Sequence, residues 1–377
     1  MPHPHLDICE TTAAKLARGR MGLAATRAVV GFDGFVDEII AVVDKRYADG
    51  RFDPIATIAA LATKIRAAAG ESSNYELVVK QRKLGGNGPI MANALACLGL
   101  GVTYVGSLGY PDLDPVFQEF ATRSRVLSVA AAGHTDALEF DDGKIMLGKY
   151  EMLHEVNWEN LVARVGRAEL EEIFGGASLV GMVNWTMLPR MSQIWERLLE
   201  EVFPALPPRP RTLFLDLADP EKRTPADIVG ALALASRLQA HADVILGLNL
   251  KEALQVAAVL GLPAHADPVG GVAESAVAIR AALGLSCVVI HPRRVAAAAT
   301  AHESALFPGP FVQHPAISTG AGDHFNAGFC LGRILGFNLA ESLCAGVSAS
   351  GYYVRSARSP SLTDLSQFAA QLPPPEA

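Results

Sequence analysis

Thr319-Gly320-Ala321-Gly322-Asp323 is the segment whose residue types point most directly to chemistry. Two glycines let a backbone pass close to a ligand with no Cβ in the way. The apolar spacing from about His324 to Leu335 predicts a helix immediately afterwards. The free N–H groups of a helix's first turn, reinforced by its dipole, suit an anion. An aspartate at that spot is placed to take a proton from a hydroxyl nucleophile. The combination suggests phosphoryl transfer, with the amides holding the moving phosphate and Asp323 holding the acceptor. The same aspartate also reads as an ordinary acid at a helix N-terminus. Next to it, His324 is a candidate substrate contact, whereas Asn326 reads as a helix-surface residue.

A second glycine turn, Gly85-Gly86-Asn87-Gly88, leads into a helix with Ile90, Met91, Ala94, Leu95 and Leu98 on one face. Short apolar runs at 28–32, 102–105, 179–183, 212–215, 244–246 and 287–290 read as buried strands separated by helical segments. That alternation predicts an α/β fold with a central, mostly parallel sheet flanked by helices. Three stretches fit it poorly. Residues 36–43 and 75–80, and the runs 137–140 and 145–147 around Asp141-Asp142-Gly143, read as half-exposed strands, the last two as a hairpin. They predict a small β appendage built from separate excursions, 35–84 and 134–149. The main α/β domain is then 1–34, 85–133 and 150–377. Asp53-Pro54 is expected to open an inserted helix running to about Ala69.

The chain has 377 residues, 32 basic and 39 acidic, for a formal charge of -7; half the residues are hydrophobic and 19% charged. That is enough apolar material for a large core and excludes a disordered chain. Mild acidity without a basic stripe argues against nucleic acid as a partner. No apolar stretch reaches the ~18 residues of a membrane span, and the N-terminus lacks the apolar core of a signal peptide. Five irregularly spaced cysteines suggest reduced thiols in a cytoplasmic protein. On that reading Asn184-Trp185-Thr186 matches the glycosylation triplet by chance. No Gly-x-x-x-x-Gly-Lys-Ser/Thr occurs, and neither Gly-x-Gly has its third glycine, which excludes a P-loop kinase and argues against a dinucleotide-binding dehydrogenase. His3 and His5 read as residues of a disordered terminal tail.

These motifs together resemble the ribokinase-like (PfkB) carbohydrate kinases. Gly85 to Gly88 with Ala92, Ala94, Ala96, Leu98 and Gly99 is similar to that family's N-terminal signature, and Thr319 to Asp323 to its C-terminal one. Between them, Asn249-Leu250-Lys251-Glu252 resembles its Asn-x-x-Glu motif. The resemblance implies a Mg²⁺-dependent kinase moving the terminal phosphoryl of ATP to a hydroxyl of a small sugar. It makes Asp323 the catalytic base and the amides of Gly320, Ala321 and Gly322 the anion hole. Asn249 and Glu252 would organise Mg²⁺ through water, and Gly85, Gly86 and Asn87 would lie beside the sugar. Asp33 and Asp37 become candidates for gripping sugar hydroxyls; a solvated turn and a strand-surface position are their structural alternatives. Thr319 and Asn249 fall on the nucleotide side. The β excursions correspond to the family's lid, which often also joins two subunits in a homodimer.

Four positions depart from the pattern. Asn87 stands where the family has a lysine-like sugar contact. Ile317 stands where the family usually has Asp. Ile90 replaces an Asn. The strand expected to end in Thr-x-Gly ends in His291-Pro292-Arg293, so Arg293 either reaches a donor phosphate or belongs to a solvated basic turn with Arg294. The glycine region is also similar to that of ADP-dependent sugar kinases, which leaves ADP open as donor. A nucleoside remains open as acceptor, and a non-catalytic sugar- or nucleotide-binding protein on the same scaffold is the rival of another class.

Overall fold

The computed structural model describes residues 5–376. Its fourteen strands run in chain order as follows. The first five are β1 (Arg27–Phe32), β2 (Phe35–Arg46), β3 (Phe52–Pro54), β4 (Leu77–Gly85) and β5 (Gly101–Gly106). Then come β6 (Arg125–Ser128), β7 (Gly133–Phe140), β8 (Gly143–Lys149), β9 (Leu179–Met182) and β10 (Thr212–Asp216). The last four are β11 (Asp243–Leu248), β12 (Cys287–Ile290), β13 (Val295–Ala299) and β14 (Ser304–Pro308).

Nine of these form the main sheet, in the order β14-β13-β12-β11-β10-β9-β1-β5-β6. From β6 to β12 every pairing is parallel; β13 and β14 add an antiparallel edge. Strands covered on both faces need apolar residues at every position, which is why they stand out as uninterrupted runs. Val29, Val180, Leu213 and Val244 point into one apolar layer. Ala28, Val30, Phe214, Ile245 and Val289 point into the other. That second layer is roofed by helices Asn87–Cys97, Ala321–Ile334 and Leu339–Ser356, the first two of which begin at the two glycine turns. Segment 150–176 folds as short helices whose Trp158, Leu161, Leu170 and Phe174 pack under the first layer.

The other five strands form a separate smaller sheet, β3-β2-β7-β8 with β4 also on β2. It is the small β lid. Asp53-Pro54 is not the start of the inserted helix: both residues pair in β3, and Thr57 caps a shorter helix, Ile58–Ala67, by accepting the Ala60 N–H. The residue before a proline disfavours helical geometry, so extended backbone at Asp53 is the better local solution. β13 and β14 escaped the sequence reading because Val295-Ala-Ala-Ala-Ala299 has the composition of a helix; hairpin pairing overrides it. Of the terminal histidines, His3 lies outside the described residues. His5 precedes the helix Leu6–Leu23 and packs its ring 5.2 Å from that of Phe307, so the disordered-tail expectation fails there.

All five cysteines are free. Among the described residues no helix is long and apolar enough to cross a membrane. Phe329, fully buried between the main sheet and its roof, tests the importance of that layer. Phe329→Ala should cost about 3–5 kcal/mol, read as a lowered urea midpoint at unchanged slope.

Candidate active site

The chain leaving β1 carries Asp33 into the protein, where it is fully buried. Its carboxylate accepts the Asn87 N–H at 2.9 Å, the Gly88 N–H at 2.8 Å and the Asn184 side-chain amide at 2.7 Å. These bonds tie the first glycine turn to the sheet and rule out a solvated turn at Asp33. The Tyr104 hydroxyl lies 3.4 Å from Oδ1 as a fourth neighbour, so the carboxylate's roughly four acceptor positions are engaged from within the protein. Burial pushes the Asp33 pKa up to about 6, against the pull of its donors. Asn184 is 3% exposed and committed to Asp33, which removes it as a glycosylation acceptor.

Asp37 follows on β2 and is also buried, so it is not a strand-surface residue. Burial raises its pKa, and the nearby positive charge of Lys83 opposes that most strongly. A Cβ on Gly85 would lie 2.4 Å from the Asp37 carboxyl carbon; only glycine lets β4 pass beneath that group. Gly86 then caps the helix Asn87–Cys97. From the first turn of that helix Asn87 reaches across the site and donates to Asp323 Oδ1 at 3.0 Å.

The second glycine turn faces Asn87. Gly320 has φ +91 and caps the helix Ala321–Ile334, with Asp323 in the first turn. Asp323 is 6% exposed. Desolvation pushes its pKa up to about 8, opposed by the Asn87 hydrogen bond. The Thr319 carbonyl accepts the Tyr353 hydroxyl at 3.1 Å. His324 does not face a substrate. Its Nδ1 lies 2.7 Å from the Gly320 carbonyl and its Nε2 2.9 Å from Ser359 Oγ, and its ring stacks on Tyr353 at 3.6 Å. It braces the turn from behind, and burial lowers its pKa to about 4.

On the other side of this turn lies a cavity of about 740 Å³, lined by Asn249, Arg293, Thr319, Ala321 and Gly322 among others. His291, at the end of β12, also lines it, with Nε2 buried and unpartnered. Burial pushes the His291 pKa down to about 4, so the ring is neutral at neutral pH. Arg293 is exposed at the rim. Arg294 is engaged elsewhere, stacking over Phe311 at 4.0 Å and donating to the Glu376 carbonyl at 2.8 Å.

Asn249 and Glu252 form a capping box at the helix Leu250–Val259, so this motif also has a plain structural job. Glu252 accepts the N–H groups of Asn249 at 2.8 Å and Asp219 at 2.9 Å, one on each oxygen. Two residues join them that the sequence reading missed. Asp216 ends β10, buried, and accepts from the Asn326 side chain at 3.0 Å. Asn326 is therefore an interior residue, 1% exposed, and not on the helix surface. It lies three residues beyond Asp323, which keeps it on the same helix face. The acid closing the apolar run Leu213-Phe214-Leu215-Asp216 was the available signal.

Asp216 Oδ1 is buried with no hydrogen-bond partner. Desolvation, then the charges of Glu252 and Asp323, hold its pKa well above the carboxylate range. Three mutually repelling buried carboxylates, one with an orphaned oxygen, fit a hard divalent cation that takes oxygen ligands.

Set against known proteins, residues 8–372 match the family described as prokaryotic ketohexokinase. The chain belongs to that family. It is accordingly a carbohydrate kinase, a phosphotransferase of the PfkB ribokinase-like group, and not a non-catalytic binder. It is similar to a ketohexokinase of Haloferax volcanii, with 31% identity over 346 residues and 91% of each chain covered. Solved structures share the fold at lower identity. A carbohydrate kinase from Agrobacterium tumefaciens superposes with a TM-score of 0.63 at 18% identity, over 93% of this chain and 98% of its own. A ribokinase from Arabidopsis thaliana complexed with ribose and ATP gives 0.61 at 17%, over 92% and 99%.

The contact between Gly85 and Asp37 generates a specific expectation. Gly85→Ala should displace the Asp37 carboxylate and raise the KM for sugar about tenfold or more, with a far smaller change in KM for the nucleotide. Steady-state kinetics on both substrates check this.

Proposed function

We propose that the chain transfers the terminal phosphoryl group of ATP to a hydroxyl of a ketohexose. One observation carries the reading. A single buried carboxylate, Asp323, sits between two differently built halves. On one side are Asp33, Asp37 and Asn87, with the Asp37 carboxylate offering acceptor positions suited to a polyol; on the other is the cavity with Arg293, His291 and the glycine-turn amides. The ketohexose is the substrate in the names of the family and of the Haloferax relative, and ATP is bound in the Arabidopsis ribokinase. Both support the assignment.

Asp323 accepts the proton of the attacking hydroxyl, which Asn87 keeps aligned by holding one carboxylate oxygen. The sugar oxygen forms its bond to phosphorus as the bond to the ADP oxygen breaks. The N–H groups of Gly320, Ala321 and Gly322 and the helix dipole favour the charge on the phosphoryl oxygens. Asp216, Asn249, Asn326 and Glu252 would hold Mg²⁺, Asn249 and Glu252 through water, and the ion when bound would neutralise donor phosphates. The lid, assembled from 35–84 and 134–149, excludes water over the sugar. Leu77, Val79, Met146 and Leu147 on it are 45–48% exposed, which suits a lid-mediated homodimer.

Purified protein with Mg²⁺ should turn over with fructose and ATP, more slowly or not at all with ADP as donor or with nucleosides as acceptors. Asp323→Asn should lose about 10²–10⁴-fold in kcat. The same variant should melt higher at neutral pH. An aspartate whose folded pKa is raised to about 8 contributes stability at low pH that is lost as pH climbs toward that value, and Asn removes the loss. Wild-type turnover in Asp323→Asn, or turnover with no sugar, would refute the reading.

A further inference from the structure

Lys144 belongs to no motif discussed above. It stands at the start of β8, beside the hairpin turn Asp141-Asp142. Its Nζ lies 3.3 Å from Thr319 Oγ1, so the tip of the lid touches the residue that precedes the anion-hole glycines. Burial raises the Asp37 pKa, and the Lys144 charge is one of the weaker influences opposing it, after Lys83, which puts Lys144 within electrostatic reach of the sugar side. Unlike its neighbours, this ammonium group has no carboxylate partner among the described residues. Lys149 is held by Asp136 at 2.8 Å and Lys64 by Asp44 at 2.7 Å.

The lid is built to aim it. Successive residues of a strand point to opposite faces. Ile145 packs on the outer face with Ile40, Val42, Leu61 and Leu138, so Lys144 faces inward. The hairpin turn is fastened to the inserted segment by two bonds. Asp142 accepts the Ile58 N–H at 2.7 Å, and the Asp141 N–H donates to the Ala56 carbonyl at 2.8 Å. The inserted helix Ile58–Ala67 therefore acts as a buttress that fixes the height and direction of the hairpin tip.

We propose that Lys144 is a catalytic residue delivered by the lid, its ammonium group pairing with the phosphoryl group in transit between nucleotide and sugar, and that the inserted helix exists to position it. This rests on the reading of Asp323 and the glycine turn as the transfer centre. As the sugar oxygen bonds to phosphorus and the ADP oxygen departs, charge spreads over the three peripheral phosphoryl oxygens. Lys144 donates to one of them from the side opposite the helix amides. A cation on the lid makes the strongest stabilisation available only when the lid is shut over the sugar, so transfer to water in the open state goes unassisted.

The test compares Lys144→Met and Lys144→Arg with the parent enzyme, using Mg²⁺, ATP and fructose, with Asp323→Asn alongside. Lys144→Met should lower kcat about 10²-fold or more, the scale of losing one preorganised donor, and move the KM for fructose less than about threefold. Lys144→Arg should restore at least about a tenth of kcat, since it keeps the charge. A second readout needs no turnover. Lys144→Met should weaken binding of the MgADP–aluminium fluoride–fructose complex, which mimics the transition state, while leaving MgADP binding unchanged. Asp142→Ala, which frees the hairpin from its buttress, should lower kcat by a smaller factor and speed amide exchange in residues 141–147. The proposal is overturned if Lys144→Met keeps kcat within twofold of the parent, or binds the mimic as tightly, while Asp323→Asn is dead; the transfer-centre reading then stands. An active Asp323→Asn overturns both.

Discussion

Four carboxylates, on Asp33, Asp216, Glu252 and Asp323, are buried around one small volume, and the rest of the architecture is organised to make that tolerable. Burying a charge is costly unless it is paired or hydrogen-bonded, and like charges nearby add to the cost. Each carboxylate accordingly has donors: three N–H groups on Asp33, two backbone N–H groups on Glu252, Asn326 on Asp216 and Asn87 on Asp323. The donors do not cancel the burial. Asp33 and Asp323 are still pushed up, to about 6 and about 8, and Asp216 is held well above the carboxylate range. A site that strained is relieved by a proton, by a cation or by the hydroxyl of a substrate. Kinase chemistry supplies all three.

The sheet places these groups without special devices. In open α/β sheets, ligands bind beyond the carboxyl ends of parallel strands. Asp33 follows β1, Asp216 ends β10, Asn249 follows β11 and His291 follows β12, and all four strands run the same way. The two glycine turns then start two packed helices toward the same point. Asn87 of one and Asp323 of the other meet at 3.0 Å. The smaller sheet adds Asp37, which comes down over Gly85.

Much of this was legible in the sequence, for identifiable reasons. Parallel strands covered on both faces announce themselves as apolar runs, and glycine-rich turns followed by helical periodicity mark the starts of two of the roofing helices. What stayed hidden depends on contacts distant in the chain. Asn326 looks like a surface residue until its helix is seen to roof the sheet with that face inward. Asp216 looks like a strand terminus until Glu252 and Asp323 surround it. His324, adjacent to Asp323, lies on the other side of the helix and stacks on Tyr353, a partner the local sequence does not suggest. The four alanines of β13 carry helix composition into a strand because a hairpin partner and the core decide the matter.

The account's central claim is that burial turns Asp323 into a base working near neutral pH, where an ordinary carboxylate would titrate at ~4. The most direct test is the pH dependence of kcat/KM for the sugar at saturating nucleotide and Mg²⁺. A general base must be deprotonated to act, so activity should fall on the acid side. The account predicts a limb well above the ordinary carboxylate value, shifted toward the figure of about 8 that burial imposes on the free protein, and absent from the residual activity of Asp323→Asn. A profile that stays flat down to the ordinary carboxylate range, or a limb that survives unchanged in that variant, would contradict it.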